Sequence, residues 1–168
     1  MSLEVRRAEA KDLAGIKRLL DDNISRDFYS IKDLESMIRG EDDLLCVVTD
    51  EDRNGMVVSF FYAFLSTLDE ALRILHVKEK PEALQKYTGD ERVGIYKTTS
   101  TDPDYRKRGL FSAFMADLQP VLRSKGAQVI IATALRPYGR EEPGLLGSFK
   151  SLGQVRKALF SFTYEFLL

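Results

Sequence analysis

The chain passes from a predicted strand to a predicted helix through the stretch Thr98-Thr99-Ser100-Thr101-Asp102-Pro103-Asp104-Tyr105-Arg106-Lys107-Arg108-Gly109-Leu110-Phe111-Ser112. Three cationic side chains, Arg106, Lys107 and Arg108, stand immediately before the helix. The first turn of a helix leaves several backbone N–H groups without intrahelical partners, and the macrodipole adds about half a positive charge there. Gly109 has no Cβ, so a ligand oxygen can approach the backbone closely. The stretch therefore predicts a local site for a phosphate group.

The segments on either side of this stretch predict a βαβ unit. Residues 92–99 indicate one strand, 110–125 a helix and 127–134 a second strand, whose continuous Val129-Ile130-Ile131 is typical of a strand buried on both faces. Two strands joined by a crossover helix run parallel. Pro120 falls inside the helix, where its missing N–H and its clash with the preceding turn predict a kink or a break.

The rest of the chain predicts further strands and helices in one domain. Asn54-Gly55, between two β-rich runs, indicates an antiparallel hairpin. Residues 67–90 fit a helix and a strand equally well, and we interpret them as an insertion. The other predicted elements are strands at 4–7, 44–48, 56–65 and 160–168, and helices that begin after Asp12, cover 31–38 and lie near 145–152. The order β-α-α-β-β, insertion, β-α-β-α-β is that of a single α/β domain over residues 1–168.

Composition argues against several classes of protein. The chain has 168 residues, 26 acidic and 25 basic side chains and a formal net charge of -1. It therefore lacks a bulk cationic field for nucleic acid or an anionic membrane. One cysteine, Cys46, forbids an intramolecular disulfide, and with one histidine, His76, no Cys/His zinc site can be assembled. No run has the length of a membrane span or a signal peptide, so we expect a soluble cytoplasmic protein without a metal.

The stretch at 98–112 resembles motif A of the GNAT acyltransferase superfamily. In that motif a strand leads through a Pro-x-Tyr-Arg turn into Gln/Arg-x-x-Gly-x-Gly/Ala at the start of a helix. Pro103-Asp104-Tyr105-Arg106 and Arg106-Lys107-Arg108-Gly109 match it in order and spacing. The predicted βααββ order and the buried strand after the helix extend the resemblance over most of the chain. The resemblance implies a GNAT-like fold, a twisted mixed sheet with helices on both faces, which binds acetyl-CoA or another acyl-CoA between its two central parallel strands.

The same resemblance implies which residues bind coenzyme A. Its pyrophosphate would contact the glycine loop and the start of the helix. The residues concerned are Arg106, Lys107, Arg108, Gly109, Leu110, Phe111 and Ser112. The pantetheine arm would pair with the backbone of Thr99, Ser100 and Thr101, where a freed N–H can also bind the thioester carbonyl. This run also fits plain β propensity before an Asp-Pro turn, and the sequence does not separate the two interpretations.

The chain departs from the family pattern in ways that affect catalysis. Phe111 stands where the family prefers Gly or Ala, so we expect its ring to turn into the core. Phe149 stands where the later family motif, Tyr-x-x-Leu-Gly-Phe, has the tyrosine that protonates the departing thiolate. Tyr138, the nearest phenol in sequence, is the candidate acid, although a surface loop residue is the simpler interpretation. Glu91 and Tyr96 are candidate bases, with a solvated acid and a packed tyrosine as the simpler interpretations.

The function implied by the resemblance is acyl-CoA-dependent N-acylation, most simply acetyl transfer to an amine of a small molecule or peptide within a ternary complex. A lysine-type amine is neutral in roughly one molecule in a few thousand at pH 7, so a base or an ordered water must remove its proton. The alternative is a non-catalytic sensor or interaction module that binds coenzyme A, which Phe149 favours. Contact with nucleic acid through Arg106 to Arg108 is a weaker option, and a homodimer stays open.

One other motif has a simpler explanation. Asp50-x-Asp52-x-Asn54-Gly55 copies the first half of a calcium loop, but Phe61 occupies the twelfth position, where the loop needs glutamate. We interpret the motif as the turn of a hairpin.

Overall fold

The described strands and helices follow one another in the order that the sequence predicts. The structure is a computed structural model that describes residues 2–75, 77, 79–80, 82–134 and 162–167. The elements are β1 (Leu3–Arg7), α1 (Leu13–Asn23), α2 (Ile31–Arg39), β2 (Asp43–Asp50), β3 (Met56–Thr67), α3 (Leu68–Ile74), β4 (Arg92–Thr101), α4 (Leu110–Ser124), β5 (Val129–Ala134) and β6 (Phe162–Leu167).

The chain divides into two compact units. The first comprises Met1–Ala63 and Thr98–Met115, and the second comprises Phe64–Lys97 and Ala116–Leu168. Strands β3 and β4 and helix α4 contribute residues to both units. The expectation of a single domain stays a prediction.

The sheet of the first unit has the strand order β1-β2-β3-β4, and β1 pairs antiparallel with β2. Leu3 on β1 lies opposite Asp50 on β2. At the end of β4, the Asp102 N–H donates to the Val58 carbonyl on β3 at 2.9 Å. All of the residues 98–112 belong to this unit, so the sheet positions the candidate site directly.

Local sequence signals set the helices and the hairpin of the first unit. Asn54 and Gly55 adopt left-handed φ angles of 56° and 69°, which confirms the predicted turn between β2 and β3. At the start of α2, the Ser30 hydroxyl accepts from the Asp33 N–H at 3.2 Å, as the cap residue predicts.

A Cβ on Gly15 would lie 2.7 Å from the Cβ of Val57, so the glycine allows α1 to pack directly on β3. The buried residues of α1 are Ile16, Leu19 and Leu20.

The second unit contains the predicted parallel strands, with the order β3-β4-β5-β6. Gly94 on β4 lies opposite Ile130 on β5 in a parallel pair, and Val129 lies opposite Leu167 in the antiparallel pair of β5 and β6. A Cβ on Gly94 would lie 2.8 Å from the Cδ1 of Leu122, so α4 packs closely over β4. The predicted βαβ unit is therefore confirmed.

Residues 67–90, interpreted above as an insertion, contribute to the core of the second unit. They form α3 and a short 3-10 turn at Glu82–Leu84. The cluster of buried residues there consists of Leu68, Ala71, Leu72, Leu84, Tyr87, Val93, Ile95, Val129 and Ile131. The region therefore forms part of the core of the second unit and also connects β3 to β4.

Other expectations differ from the structure or fall outside it. Helix α4 runs without interruption from Leu110 to Ser124, so it does not break at Pro120. Pro120 is exposed, so water can bond the carbonyl that loses its helical donor.

The predicted helix near 145–152 lies outside the described residues. Within the described part of the chain, no helix is long and apolar enough to cross a membrane, and no three side chains are grouped to hold a metal ion.

A partly buried ion pair joins β1 to the start of α1. The Nη1 and Nη2 atoms of Arg6 donate to the two carboxylate oxygens of Asp12 at 2.7 and 2.8 Å, and Asp12 is 3% exposed. Burial alone would raise the pKa of Asp12, but the bonds from Arg6 and from the Glu9 N–H outweigh it and hold the pKa below its usual range. The ionised form is thus favoured by folding.

Replacing Asp12 by asparagine tests this pair. A depressed pKa in the folded state stabilises the protein above the unfolded pKa of about 3.9, and that stability is lost as pH falls through the folded value. We expect Asp12→Asn to lower the free energy of unfolding by about 1–3 kcal/mol at pH 7 and to flatten its decline below about pH 5. Urea unfolding between pH 3 and pH 7 measures both effects, and an unchanged acid slope would contradict the assignment.

Candidate functional site

In the loop between β4 and α4, two residues within a span of three adopt left-handed φ angles. A 3-10 turn at Pro103–Tyr105 follows β4, and the Asp102 carboxylate accepts from the Asp104 N–H at 3.1 Å to begin it. Lys107 then has a φ of 61° and Gly109 a φ of 75°. The special backbone conformation predicted at Gly109 is present, whereas Lys107 adopts it without being glycine.

Space is left open at the start of α4. Apart from Gly109 itself and its two neighbours in the chain, no described heavy atom lies within 4 Å of the position that a Cβ on Gly109 would occupy. The Gly109 carbonyl accepts from the Ala113 N–H at 3.0 Å, which begins the hydrogen bonding of the helix. The N–H groups of Leu110, Phe111 and Ser112 precede that bond and have no partner within the helix. An anion of modest size could therefore approach these amides at Gly109.

Arg106 fastens the loop to two neighbouring elements. Its Nε donates to the Thr101 carbonyl at 3.2 Å, and its Nη2 donates to the Asn23 Oδ1, at the end of α1, at 3.0 Å. Although Arg106 is exposed, its guanidinium group therefore holds the loop in shape. This is a role that the sequence did not indicate.

Tyr105 anchors the loop to β2 through its buried hydroxyl group. Its hydroxyl donates to the Oδ2 of Asp50 at 2.5 Å, and both residues are 2% exposed. The bond to Asp50, followed by burial, raises the pKa of Tyr105, so the phenol stays protonated. The guanidinium carbons of Arg108 and Arg53 lie 5.1 and 5.8 Å from the centroid of the Tyr105 ring. One fixed ring therefore carries two cations, one from this loop and one from the turn after β2.

The hydroxyl groups of the Thr/Ser run are used within the protein. Thr99 donates to the Phe60 carbonyl at 3.0 Å and Ser100 to the Leu19 carbonyl at 3.1 Å. The Thr101 and Ser59 hydroxyls lie 2.7 Å apart in a hydrogen bond. Any ligand that pairs with this part of β4 therefore meets backbone groups and not hydroxyls.

Phe111 turns toward the core, as predicted. Its half-buried ring lies 6.2 Å from the ring of Phe61, which in turn stacks on Phe114 at 4.4 Å. The Phe111 side chain, which stands where the family prefers Gly or Ala, thus packs against an aromatic cluster of the first unit.

The predicted catalytic residues are not brought together by the described part of the chain. Glu91 lies in the second unit, where its Oε1 accepts from the N–H and the hydroxyl of Thr88 at 3.1 and 3.2 Å. Tyr96 is buried within β4. Tyr138 and Phe149 lie outside the described residues.

Two tyrosines beside β4 were missed by the sequence analysis. The Tyr29 hydroxyl lies 3.1 Å from the Thr98 Oγ1, and the Tyr62 hydroxyl donates to the Asp43 Oδ1 at 2.6 Å. Burial first, and the bond to Asp43 second, raise the pKa of Tyr62, and burial likewise raises that of Tyr29. Both phenols are hydrogen-bonding groups and not bases at neutral pH. A tyrosine in a connecting loop gave no periodic signal that could have identified Tyr29.

A cavity of about 550 Å³ opens elsewhere in the first unit. Charges of both signs line it, including Arg6, Lys11, Asp12 and Glu51. Arg6 and Asp12 already neutralise each other there. None of the residues 98–112 lines this cavity.

The chain is similar in structure to solved N-acetyltransferases. Arabidopsis thaliana NAA60 in complex with acetyl-CoA aligns with a TM-score of 0.73 at 13% identity, over 99% of this chain and 100% of that chain. The PaiA N-acetyltransferase of Thermoplasma acidophilum in complex with coenzyme A gives 0.68 at 14% identity, over 100% of both chains. The chain has the GNAT fold. The ribosomal-protein-S18-alanine N-acetyltransferase of Escherichia coli gives 0.59 at 17% identity, over 98% of this chain and 90% of that chain.

The GNAT fold confirms the fold class that the resemblance at 98–112 implied. No protein-family model and no curated protein matches the sequence. At identities this low, the likeness rests on the arrangement of strands and helices.

Opposite substitutions at Lys107 and Gly109 test the backbone of the loop. A left-handed residue other than glycine costs about 1–2 kcal/mol, and glycine loses about 0.5–1 kcal/mol through the entropy of the unfolded chain. We expect Lys107→Gly to raise the free energy of unfolding by up to about 1 kcal/mol and Gly109→Ala to lower it by about 1 kcal/mol. Urea unfolding of the two variants measures both. Changes of the same sign would contradict the left-handed conformation at both residues.

Proposed function

We propose that the chain is an acyl-CoA-dependent N-acyltransferase that transfers an acyl group, most simply acetyl, to an amine. The observation that carries the proposal is the open, left-handed loop at Gly109, which leads into the first turn of α4 within a GNAT fold. Several solved proteins of similar structure are described as acetyltransferases in complex with acetyl-CoA or coenzyme A. Their activity supports the proposal for this chain.

The diphosphate of coenzyme A would bind at the backbone of Lys107 to Ser112. Amides in the first turn of a helix supply unpaired donors, and the macrodipole adds a favourable field. Open space at Gly109 suits phosphate oxygens, which a side chain at that position would exclude. Because the hydroxyls of Thr99, Ser100 and Thr101 bond within the protein, the pantetheine arm would pair with the backbone of these residues.

The transfer itself would proceed by direct attack. The neutral amine nitrogen forms a bond to the thioester carbonyl carbon, a backbone N–H of β4 binds the developing oxyanion, and the carbon–sulfur bond then breaks. The amine proton passes to a base, for which we propose Glu91, and the departing thiolate takes a proton from an acid, for which we propose Tyr138. We further expect the reaction to take place in the cytoplasm, where a lone Cys46 stays reduced.

Ligand-induced stabilisation tests the binding step. Coenzyme A at about 100 times its Kd should stabilise the protein by about 2.7 kcal/mol, or raise the Tm by about 5–10 °C. Lys107→Glu reverses a charge in the loop and should weaken coenzyme A binding by about tenfold. Lys32→Glu, the same change on the exposed face of α2, is the matched control and should leave binding unchanged. A shift of equal size in both variants would argue against a site at the loop.

Acceptor-dependent release of the coenzyme A thiol tests the chemistry. With acetyl-CoA and a panel of amines and N-terminal peptides, we expect release that depends on at least one acceptor and rises with pH toward the pKa of that amine. Tyr138→Phe should lower kcat by at least about tenfold and leave the Kd of acetyl-CoA unchanged. Binding without release on any acceptor would instead favour the sensor or interaction module, to which the Phe149 substitution points.

A further inference from the structure

Arg53, the second cation beside the Tyr105 ring, lies outside the stretch at 98–112 that resembles motif A. It lies in the 3-10 turn that follows β2, and its side chain is exposed. Its guanidinium carbon is nevertheless 5.8 Å from the Tyr105 ring centroid, while that of Arg108 is 5.1 Å away. Two elements that are distant in sequence thus place guanidinium groups beside the same ring.

The Tyr105 ring, beside which both guanidinium groups lie, is held in place. Tyr105 is 2% exposed and its hydroxyl is held at 2.5 Å by the buried carboxylate of Asp50. Asp50 in turn accepts from the Asp52 N–H at 3.1 Å, which fixes the start of the turn that carries Arg53. The turn that carries Arg53 and the loop that carries Arg108 are therefore both tied to Asp50 and Tyr105.

The side chains of the cationic run point in different directions. Arg106 bonds to the Thr101 carbonyl on β4 and to Asn23 on α1. Arg108 instead bonds to the Asp104 carbonyl at 2.8 Å and lies on Tyr105, which is tied to the end of β2. The loop therefore has a face toward β4 and a face toward the turn after β2.

Coenzyme A is a linear molecule, with pantetheine at one side of its diphosphate and a 3′-phosphorylated adenosine at the other. If the pantetheine follows β4 and the diphosphate occupies the amides after Gly109, the nucleotide leaves on the opposite face of the loop. That face carries Arg53 and Arg108. We propose that these two guanidinium groups bind the 3′-phosphate of coenzyme A, an inference that rests on the proposed function.

The proposal gives Arg53 a role in specificity. A guanidinium group presents paired donors to a phosphate, and charge-assisted bonds of this kind are stronger than neutral ones. A ligand that lacks the 3′-phosphate would leave both arginines without this contact. The protein should therefore distinguish coenzyme A from 3′-dephospho-coenzyme A, and Arg53 should supply a large part of the difference.

Isothermal titration of coenzyme A and of 3′-dephospho-coenzyme A tests the proposal. We expect the unmodified protein to bind coenzyme A at least about tenfold more tightly. Arg53→Gln should weaken coenzyme A binding by about tenfold and leave 3′-dephospho-coenzyme A binding unchanged. Arg39→Gln, which removes an exposed arginine that pairs with Glu35 on α2, is the matched control and should change neither affinity.

Each outcome supports or overturns the inference. Equal affinities of the unmodified protein for the two ligands would overturn it and leave the proposed function intact. A preference for coenzyme A that survives Arg53→Gln, or an equal loss for both ligands, would also overturn it. Absence of any binding by the unmodified protein would overturn the proposed function and this inference together. The comparison in the unmodified protein does not depend on whether the Arg53→Gln variant folds.

Discussion

The proposed function requires the turn from β4 into α4 to leave backbone amides open to a ligand while staying rigid, and long-range bonds around Tyr105 meet that requirement. The phenol is held by a buried carboxylate on β2, and the guanidinium group of Arg106 is held by α1. Asp102, at the end of β4, is tied in addition to Arg18 on α1 at 3.4 Å. A loop fixed by its neighbours has little conformational entropy to lose when a ligand binds, so its amides are already arranged for an anion.

Under the proposed function, the same bonds explain how a nearly neutral protein would favour an anionic ligand. The formal net charge of -1 gives no general attraction for phosphate. In the proposed complex, attraction would come instead from oriented groups, namely the amides at the start of α4 and the guanidinium groups near Tyr105. These groups act over short distances, so they favour a ligand that fits the loop over anions in general.

Much of this arrangement could be predicted from sequence because its signals are local. The Pro103-to-Gly109 spacing, the Asn54-Gly55 turn and the Ser30 cap each depend on a few adjacent residues. The fold that the spacing implied, the turn and the cap are confirmed. Phosphate binding by the loop stays a prediction. The bond from Tyr105 to Asp50 joins residues 55 positions apart, and no local pattern reports such a pair. Residues 67–90 were ambiguous because short apolar runs fit a helix and a strand alike, and only packing against β4 and β5 decides between them. Lys107 takes a conformation that residue type alone assigns to glycine.

Nuclear magnetic resonance of 15N-labelled protein titrated with coenzyme A measures most directly whether the diphosphate binds at the start of α4. Amide groups report an anion that accepts from them through a change in chemical shift. The account predicts that the largest changes at saturation fall on Gly109, Leu110 and Phe111. Saturable binding that leaves these amides unchanged, with the largest changes at Arg6, Asp12 and the other residues lining the 550 Å³ cavity, would contradict it.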